Sequence, residues 1–346
     1  MSESRQVTDD RAASPFGPED LRRVEQLTRA ETIDIALRHA ELNQGYVRTG
    51  RSLRDLLKSS PAPAPSTLVF GPGPSNHRRN PAAVLLQARY AGPIIASDGA
   101  LGYLLRRGVV PQYVVSVDPH PTRIVRWYGD PELASRRADD YFQRQDIDID
   151  WQGDEQAVNQ DLIALVNRQG PGIKALLSTS VAPAVARRCL EAGMAVYWWN
   201  PMMDAGEGPA SLNARLQELN PVPCIATGGC TATAALVMAV QIFRPRRIGL
   251  LGFDFGYYPD VCMDHTQYYD ALRVRFPRDY ERYFARLVNP DLGEAYLTDV
   301  SHYCLRTALL ELLDLMPCPV YNCTSGGILF GTGITTLPLK DFLALA

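Results

Sequence analysis

Short apolar runs that end on a glycine or an aspartate constrain this chain more than any other feature. Leu68-Val69-Phe70 feeds into Gly71-Pro72-Gly73-Pro74-Ser75-Asn76, residues 93–97 end at Asp98, residues 113–117 end at Asp118, and residues 247–251 reach Gly252 and then Asp254. Residues 175–179, 195–199 and 319–322 have the same character, and helical patterns lie between the runs. Runs this short and this rich in Val, Ile and Leu, alternating with helices, specify a parallel sheet covered on both faces. The expected fold class is therefore α/β: a Rossmann-like, mostly parallel sheet with helices on both faces, plus an N-terminal helical arm. Ligands of such sheets sit beyond the carboxyl ends of the strands. Gly71, Asp98, Asp118 and Asp254 all fall on that edge.

The stretch 68–76 is a strand, a Gly/Pro/Ser loop and a helical pattern in succession. Loop amides and a helix start can cradle a phosphate or another anion. Gly71 and Gly73 are free to adopt positive φ, and Pro72 and Pro74 stiffen the loop. The spacing is neither the G-x-G-x-x-G dinucleotide fingerprint nor a Walker loop, so neither ligand class follows from it. A second candidate anion contact is Thr227-Gly228-Gly229, which opens a long apolar helix running to about Phe243.

The remaining organisation is read as follows. Residues 1–17 are polar and form a disordered arm. Residues 18–60 are helical, with Leu21, Val24, Leu27 and Leu37 on one face, and pack on the body or on a second copy of the chain, a route to a homo-oligomer. Residues 61–66 are a stiff proline linker, and residues 67–346 form the main domain. The acid-rich stretch 129–172, with Asp146, Asp148 and Asp150, reads as a solvated insertion. Residues 269–290 are aromatic and basic, a solvated helix, an acceptor-binding lid or, least favoured by the near-neutral chain, a nucleic-acid surface.

A net charge of −3 with a pI near 6.0 argues against a nucleic-acid protein with a basic surface. Seven cysteines without a C-x-x-C pair argue against a zinc site or disulfide framework and suit a reducing cytoplasm. No secretory pattern or membrane-spanning run is seen, so the expected location is cytoplasmic.

Taken in order, these motifs resemble a superfamily with two branches, the motility accessory factor (Maf) flagellin glycosyltransferases and the MptE-like 6-hydroxymethylpterin diphosphokinases. The resemblance rests on Gly71-Pro72-Gly73-Pro74-Ser75, on Ala96-Ser97-Asp98-Gly99-Ala100, on residues 111–118, and on the Thr227-Gly228-Gly229 helix start. Gly252-Phe253-Asp254-Phe255-Gly256-Tyr257 followed by His265 is similar to the family's Gly-Gln-Asp-Leu-Ala-Tyr stretch and its His. Asn322-Cys323-Thr324-Ser325-Gly326-Gly327 is similar to its closing Asn-Ala-Thr-Glu-Gly-Gly. Phe253 stands where the family has Gln, and Ser325 where it has Glu.

The resemblance implies a transferase with a nucleotide-activated donor. In the Maf-like case it moves a CMP-activated nonulosonic, sialic-acid-like sugar to a hydroxyl acceptor, with no required cofactor. In the MptE-like case it moves diphosphate from ATP to a hydroxymethyl pterin or similar alcohol, with Mg²⁺ held by Asp98 and Asp118. On either branch Gly71, Gly73, Pro74 and Ser75 would bind donor phosphate. Asp98 and Asp118 would meet ribose or base hydroxyls, Thr227, Gly228 and Gly229 a further donor contact, and Thr324, Ser325, Gly326 and Gly327 would close over the donor. His265 is the expected general base, oriented by Asp254, because an imidazole titrates near operating pH. His120 is the second candidate. His39, His77 and His302 read as structural or surface residues.

Overall fold

A computed structural model of the chain describes residues 6–7, 14–59, 61–137, 139–146, 151, 153–206, 208 and 211–345. Its strands are β1 Gln6–Val7, β2 Arg51–Ser52, β3 Thr67–Phe70, β4 Ile94–Ser97, β5 Tyr113–Ser116, β6 Lys174–Ser178, β7 Ala195–Pro201, β8 Cys224–Ile225, β9 Ile248–Leu251, β10 Phe284–Val288, β11 Ala295–Asp299, β12 Val320–Asn322 and β13 Thr335–Thr336. Ten of them form one sheet in the order β13-β12-β9-β3-β4-β5-β6-β7-β2, with β8 paired to β7. Every pairing in that sheet is parallel. The Rossmann-like α/β reading therefore describes the molecule. Strands β3, β4, β5 and β9 are buried at every position, which is why their sequences do not alternate.

Chain order sets the site. From β3 the chain builds outward through β4, β5, β6 and β7, then returns to the other side of β3 with β9 and β12. The reversal lies between β3 and β9, so the loops leaving these two strands meet at the topological switch point. Helix Thr231–Phe243 packs across β3, β4 and β5 on one face. Its small residues Ala232, Ala234, Ala235 and Ala239 are buried and let it lie close to the strands. The other face carries helices Asp98–Arg106, Glu155–Gln169 and Pro183–Glu191 around Trp127, Trp151 and Trp198.

Several expectations are corrected. The stretch 129–172 is not a solvated insertion: Asp154 caps helix Glu155–Gln169 by accepting from the Gln156 and Ala157 amides, and that helix buries Asn159, Leu162 and Val166. Its apolar stripe is one residue wide, which hid it among the acids. Asp146 is buried, while Asp148 and Asp150 lie outside the described residues. The basic stretch 269–290 ends in β10, which pairs antiparallel with β11. Arg286 masks the strand pattern of Phe284-Ala285-Arg286-Leu287-Val288.

The N-terminal helices belong to the body. Helix Pro18–Leu42 packs on helices Val300–Leu313 and Leu212–Leu219, which bury Val24, Leu37 and Ala40 within the same chain. β2 closes the sheet edge beside β7. The proline stretch is held too, since the Ala64 amide donates to the Phe243 carbonyl at 3.0 Å and the Ala64 carbonyl accepts from Arg246 at 3.1 Å. Within the segment 1–17, residues 1–5 and 8–13 lie outside the described residues, Gln6–Val7 pairs with β10, and Phe16 is buried in the core.

Asn43 pins this arrangement. Its side chain is fully buried and donates to the Thr179 and Val181 carbonyls at 2.9 and 2.8 Å. Asn43→Ala leaves both acceptors unsatisfied, with an expected loss of about 2–6 kcal/mol at roughly 1–3 per buried orphan, read by urea denaturation. A loss under about 0.5 kcal/mol would show that water replaces the amide.

Candidate functional site

The Gly-Pro-Gly-Pro-Ser loop is where the sequence placed an anion cradle, and its donors are already taken. The Gly71 amide donates to the Leu251 carbonyl at 2.7 Å, and the Gly73 amide to the Gly252 carbonyl at 2.9 Å. The Ser75 amide and hydroxyl donate to the two carboxylate oxygens of Asp254, at 3.2 and 2.7 Å. Neither Gly71 nor Gly73 has positive φ. They are glycines because a Cβ at Gly71 would press on the Gly252 carbonyl and one at Gly73 would overlap the Asp254 carboxylate. The motif locks the loop after β3 onto the loop after β9.

The closing motif joins the same lock. The Phe253 amide donates to the Thr324 hydroxyl at 3.2 Å, and the Ile328 amide to the Asp254 carbonyl at 2.7 Å. Thr324 is buried, so it does not close over a ligand from outside. Gly326 lies against Tyr258 and Asp254, and Gly327, at φ 73°, lies against the Asp254 backbone. Ser325, at φ 54°, offers its carbonyl to Arg79. Phe253 is buried in the core and edges against Phe255. Asp254 is 1% exposed, and burial raises its carboxyl to about 7 against the opposing bonds from Ser75.

Asp254 does not orient His265. The carboxylate is taken by Ser75, and His265 is exposed in the short helix Met263–His265. His265 shares a cleft of about 490 Å³ with His77, Arg78, Arg144, Asp146, Asp260 and Val261. Asp146 accepts from Arg78 at 2.8 Å and lies 3.0 Å from His77 Nε2. Arg144 donates to the Asp264 and Thr266 carbonyls and pairs with Asp270. The segment around Asp146 is thereby strapped to both sides of this cleft.

A second group of residues lies at the carboxyl ends of β4 and β5. Asp98 is buried, accepts from Ser116 Oγ at 2.6 Å and from the Gly99 amide at 2.8 Å, and is raised to about 7 by burial. Asp118 reaches solvent, yet protein crowds it, and that crowding raises its carboxyl against the His120 amide at 2.7 Å and Arg123. His120 is not placed as a base. Burial, with Arg123 beside it, lowers it to about 4, and its Nδ1 faces the Thr122 and Arg123 amides at 3.3 and 3.1 Å. His39 is structural, buried with Nδ1 3.3 Å from the Ser180 carbonyl.

Thr227-Gly228-Gly229 keeps its open character. Gly228 and Gly229 have φ of 55° and 85°, and the Gly229 amide turns back to Thr227 Oγ1 at 3.3 Å. The turn is accessible to solvent and precedes Cys230, which caps helix Thr231–Phe243 through Thr233. The first amides of this helix have no acceptor within it. Asp98 lies within electrostatic reach of Cys230, and Tyr268 within reach of Cys230, Asp118, Tyr141 and Asp299.

The sequence reading missed one constellation here. His302 Nδ1 lies 2.7 Å from Asp299 Oδ2, and the Tyr257 hydroxyl donates to the same oxygen at 3.2 Å. Asp299 ends β11 and caps helix Val300–Leu313, accepting from the His302 amide at 2.9 Å. The available signal was an Asp-x-x-His pair at a helix start, which capping rules alone explain.

The diphosphokinase reading would hold Mg²⁺ between Asp98 and Asp118. Asp98 is already hydrogen-bonded at both oxygens, and no group of three or more His, Cys, Asp or Glu side chains suited to a metal occurs among the described residues. No helix among the described residues is long and apolar enough to cross a membrane.

No family profile and no curated protein matches the sequence. Among solved structures, the chain is similar to the Maf glycosyltransferase from Magnetospirillum magneticum AMB-1, with a TM-score of 0.51 at 16% identity. The match covers 87% of this chain and 38% of that protein, so this chain spans well under half the length of its structural neighbour. The two share a fold: this chain has a Maf glycosyltransferase-like architecture.

Proposed function

We propose that the protein is a transferase that moves a glycosyl group, in the form of a CMP-activated nonulosonic sugar, from its nucleotide to a hydroxyl acceptor. The observation that carries this reading is the open Thr227-Gly228-Gly229 turn before helix Thr231–Phe243, whose cap Cys230 lies within electrostatic reach of Asp98 at the carboxyl end of β4. The fold shared with a glycosyltransferase supports it.

In this reading the donor phosphate meets the positive end of that helix, where aligned backbone dipoles stabilise the leaving phosphate without a metal. Asp118, the accessible carboxylate, accepts from ribose hydroxyls. Asp98, the first residue of helix Asp98–Arg106, sets the position of Ser116. The joined loops 71–76, 252–254 and 322–328 form the rigid floor. His265 borders the cleft of about 490 Å³ that also holds His77 and Arg78.

Calorimetry with CMP, CTP, ATP and AMP, each with and without Mg²⁺, tests this. CMP or CTP binding that needs no metal is expected, with a gain of about 2.7 kcal/mol in stability at a hundredfold excess over Kd. Mg²⁺-dependent binding of ATP alone would overturn it in favour of diphosphoryl transfer.

A further inference from the structure

We infer that His302 is the general base that takes the proton from the acceptor hydroxyl, with Asp299 and Tyr257 as its positioning residues; this rests on the transfer reading above. The geometry is that of an oriented imidazole. Asp299 is fully buried and held by the helix it caps, so its carboxylate is fixed before His302 meets it. His302 Nδ1 lies 2.7 Å from the Oδ2 of Asp299, and a carboxylate, which only accepts, draws the proton to that nitrogen. Tyr257 accepts from the Gln267 amide at 2.8 Å, which turns its own proton toward Asp299 at 3.2 Å. Burial, with Asp299 nearby, keeps that phenol protonated well above its ordinary range. With Nδ1 carrying the proton, Nε2 holds the lone pair.

A histidine that only packs would be enclosed. His302 instead keeps 18% of its side chain exposed while its partner carboxylate has none. Its ring stands edge-on to Tyr257 and Tyr268, with centroids 5.3 and 5.4 Å away. Tyr268 is the link to the site, because it lies in the field of Asp299, Tyr141, Asp118 and Cys230. The groups facing His302 are thus Asp299 from its own helix, Tyr257 from the loop after β9, and Tyr268 from the segment before helix Tyr269–Arg275.

The step balances without a cofactor. The acceptor oxygen bonds to the anomeric carbon as its proton passes to Nε2. The bond from that carbon to the phosphate oxygen breaks, and its electron pair leaves on CMP. The imidazolium then returns the proton to solvent.

The test uses the full chain with CMP-activated N-acetylneuraminic acid, following CMP release to water or to an added alcohol. His302→Gln is expected to lower kcat at least 100-fold, with CMP affinity and thermal midpoint within error of wild type. The acidic limb of the wild-type pH–rate profile is expected to vanish from the residual activity. Tyr257→Phe is expected to lower kcat several-fold and spare KM. A His302→Gln enzyme with wild-type kcat, or one whose acidic limb persists, overturns the assignment while leaving the transfer reading intact. If His302→Gln loses its fold, Tyr257→Phe decides: a folded Tyr257→Phe enzyme with unchanged kcat overturns the assignment. A wild-type protein that neither binds CMP nor releases it overturns the transfer reading and the assignment together.

Discussion

Gly327→Ala is expected to destabilise the protein by more than about 3 kcal/mol, while Gly293→Ala loses only about 1–2. Both glycines sit at positive φ, 73° and 69°. A Cβ at Gly293 meets nothing within 4 Å, whereas one at Gly327 would overlap the backbone of Asp254. Gly293 therefore reports the conformational penalty alone. The difference between the two variants isolates the closeness of the loops that follow β9 and β12. Urea denaturation of both proteins measures it, and equal losses would mean that the loop joint yields and the glycine serves only its φ. Because Asp254 anchors Ser75, the Gly327 variant should also loosen the loop after β3, seen as faster amide exchange at Gly73 and Ser75.

The second large effect is a pH dependence of stability. Asp98 and Asp254 are both raised from 3.8 to about 7, each mainly by burial. A carboxyl raised on folding binds its proton more tightly in the native state than in the unfolded one. Its contribution is complete below about pH 4 and is lost as pH rises through 7. At roughly 1.4 kcal/mol per pKa unit, each group can remove up to about 4 kcal/mol across that window. Asp254→Asn keeps an acceptor for Ser75 and has no charge to bury. The variant should match or fall slightly below wild type at pH 4 and exceed it by a few kcal/mol at pH 8. Asp98→Asn should behave alike and add to it, since the two carboxylates bond to different partners. Parallel stability curves for wild type and Asp254→Asn between pH 4 and 8 would show that Asp254 ionises in the native state at its ordinary value.

Much of the frame is legible from local pattern. Strands such as Ile94–Ser97 and Ile248–Leu251 are buried on both faces, so an unbroken apolar run between helices has few other solutions. Glycine or aspartate at their ends marks the carboxyl edge that holds the candidate site. Elements with thin or mixed patterns were less legible. Helix Glu155–Gln169 shows one narrow apolar stripe, and β10 carries an arginine at its centre, so composition outweighed periodicity at both. The candidate site divides the same way. Asp98 and Asp118 stand at strand ends and Thr227-Gly228-Gly229 at a helix start, as local pattern requires, and Asp98 lies within electrostatic reach of Cys230. His265 and Asp254 are close in sequence and unconnected in space.

The sequence by itself determined a parallel α/β sheet, the edge on which its strand-end acids lie, and the loops that need glycine. Those follow from hydrophobic period, from strand ends and from backbone sterics, which are local properties of the chain. Only the tertiary structure decided what each glycine loop does. The amides of residues 71–75 could face a ligand or a neighbouring loop, and the choice depends on β9 returning beside β3 after some 175 intervening residues, a separation across which no local pattern acts. The pairing of His302 with Asp299 and Tyr257 has the same origin. Asp299 caps its helix by a local rule, but Tyr257 reaches it from another loop, and burial turns a capping carboxylate into one that orients an imidazole.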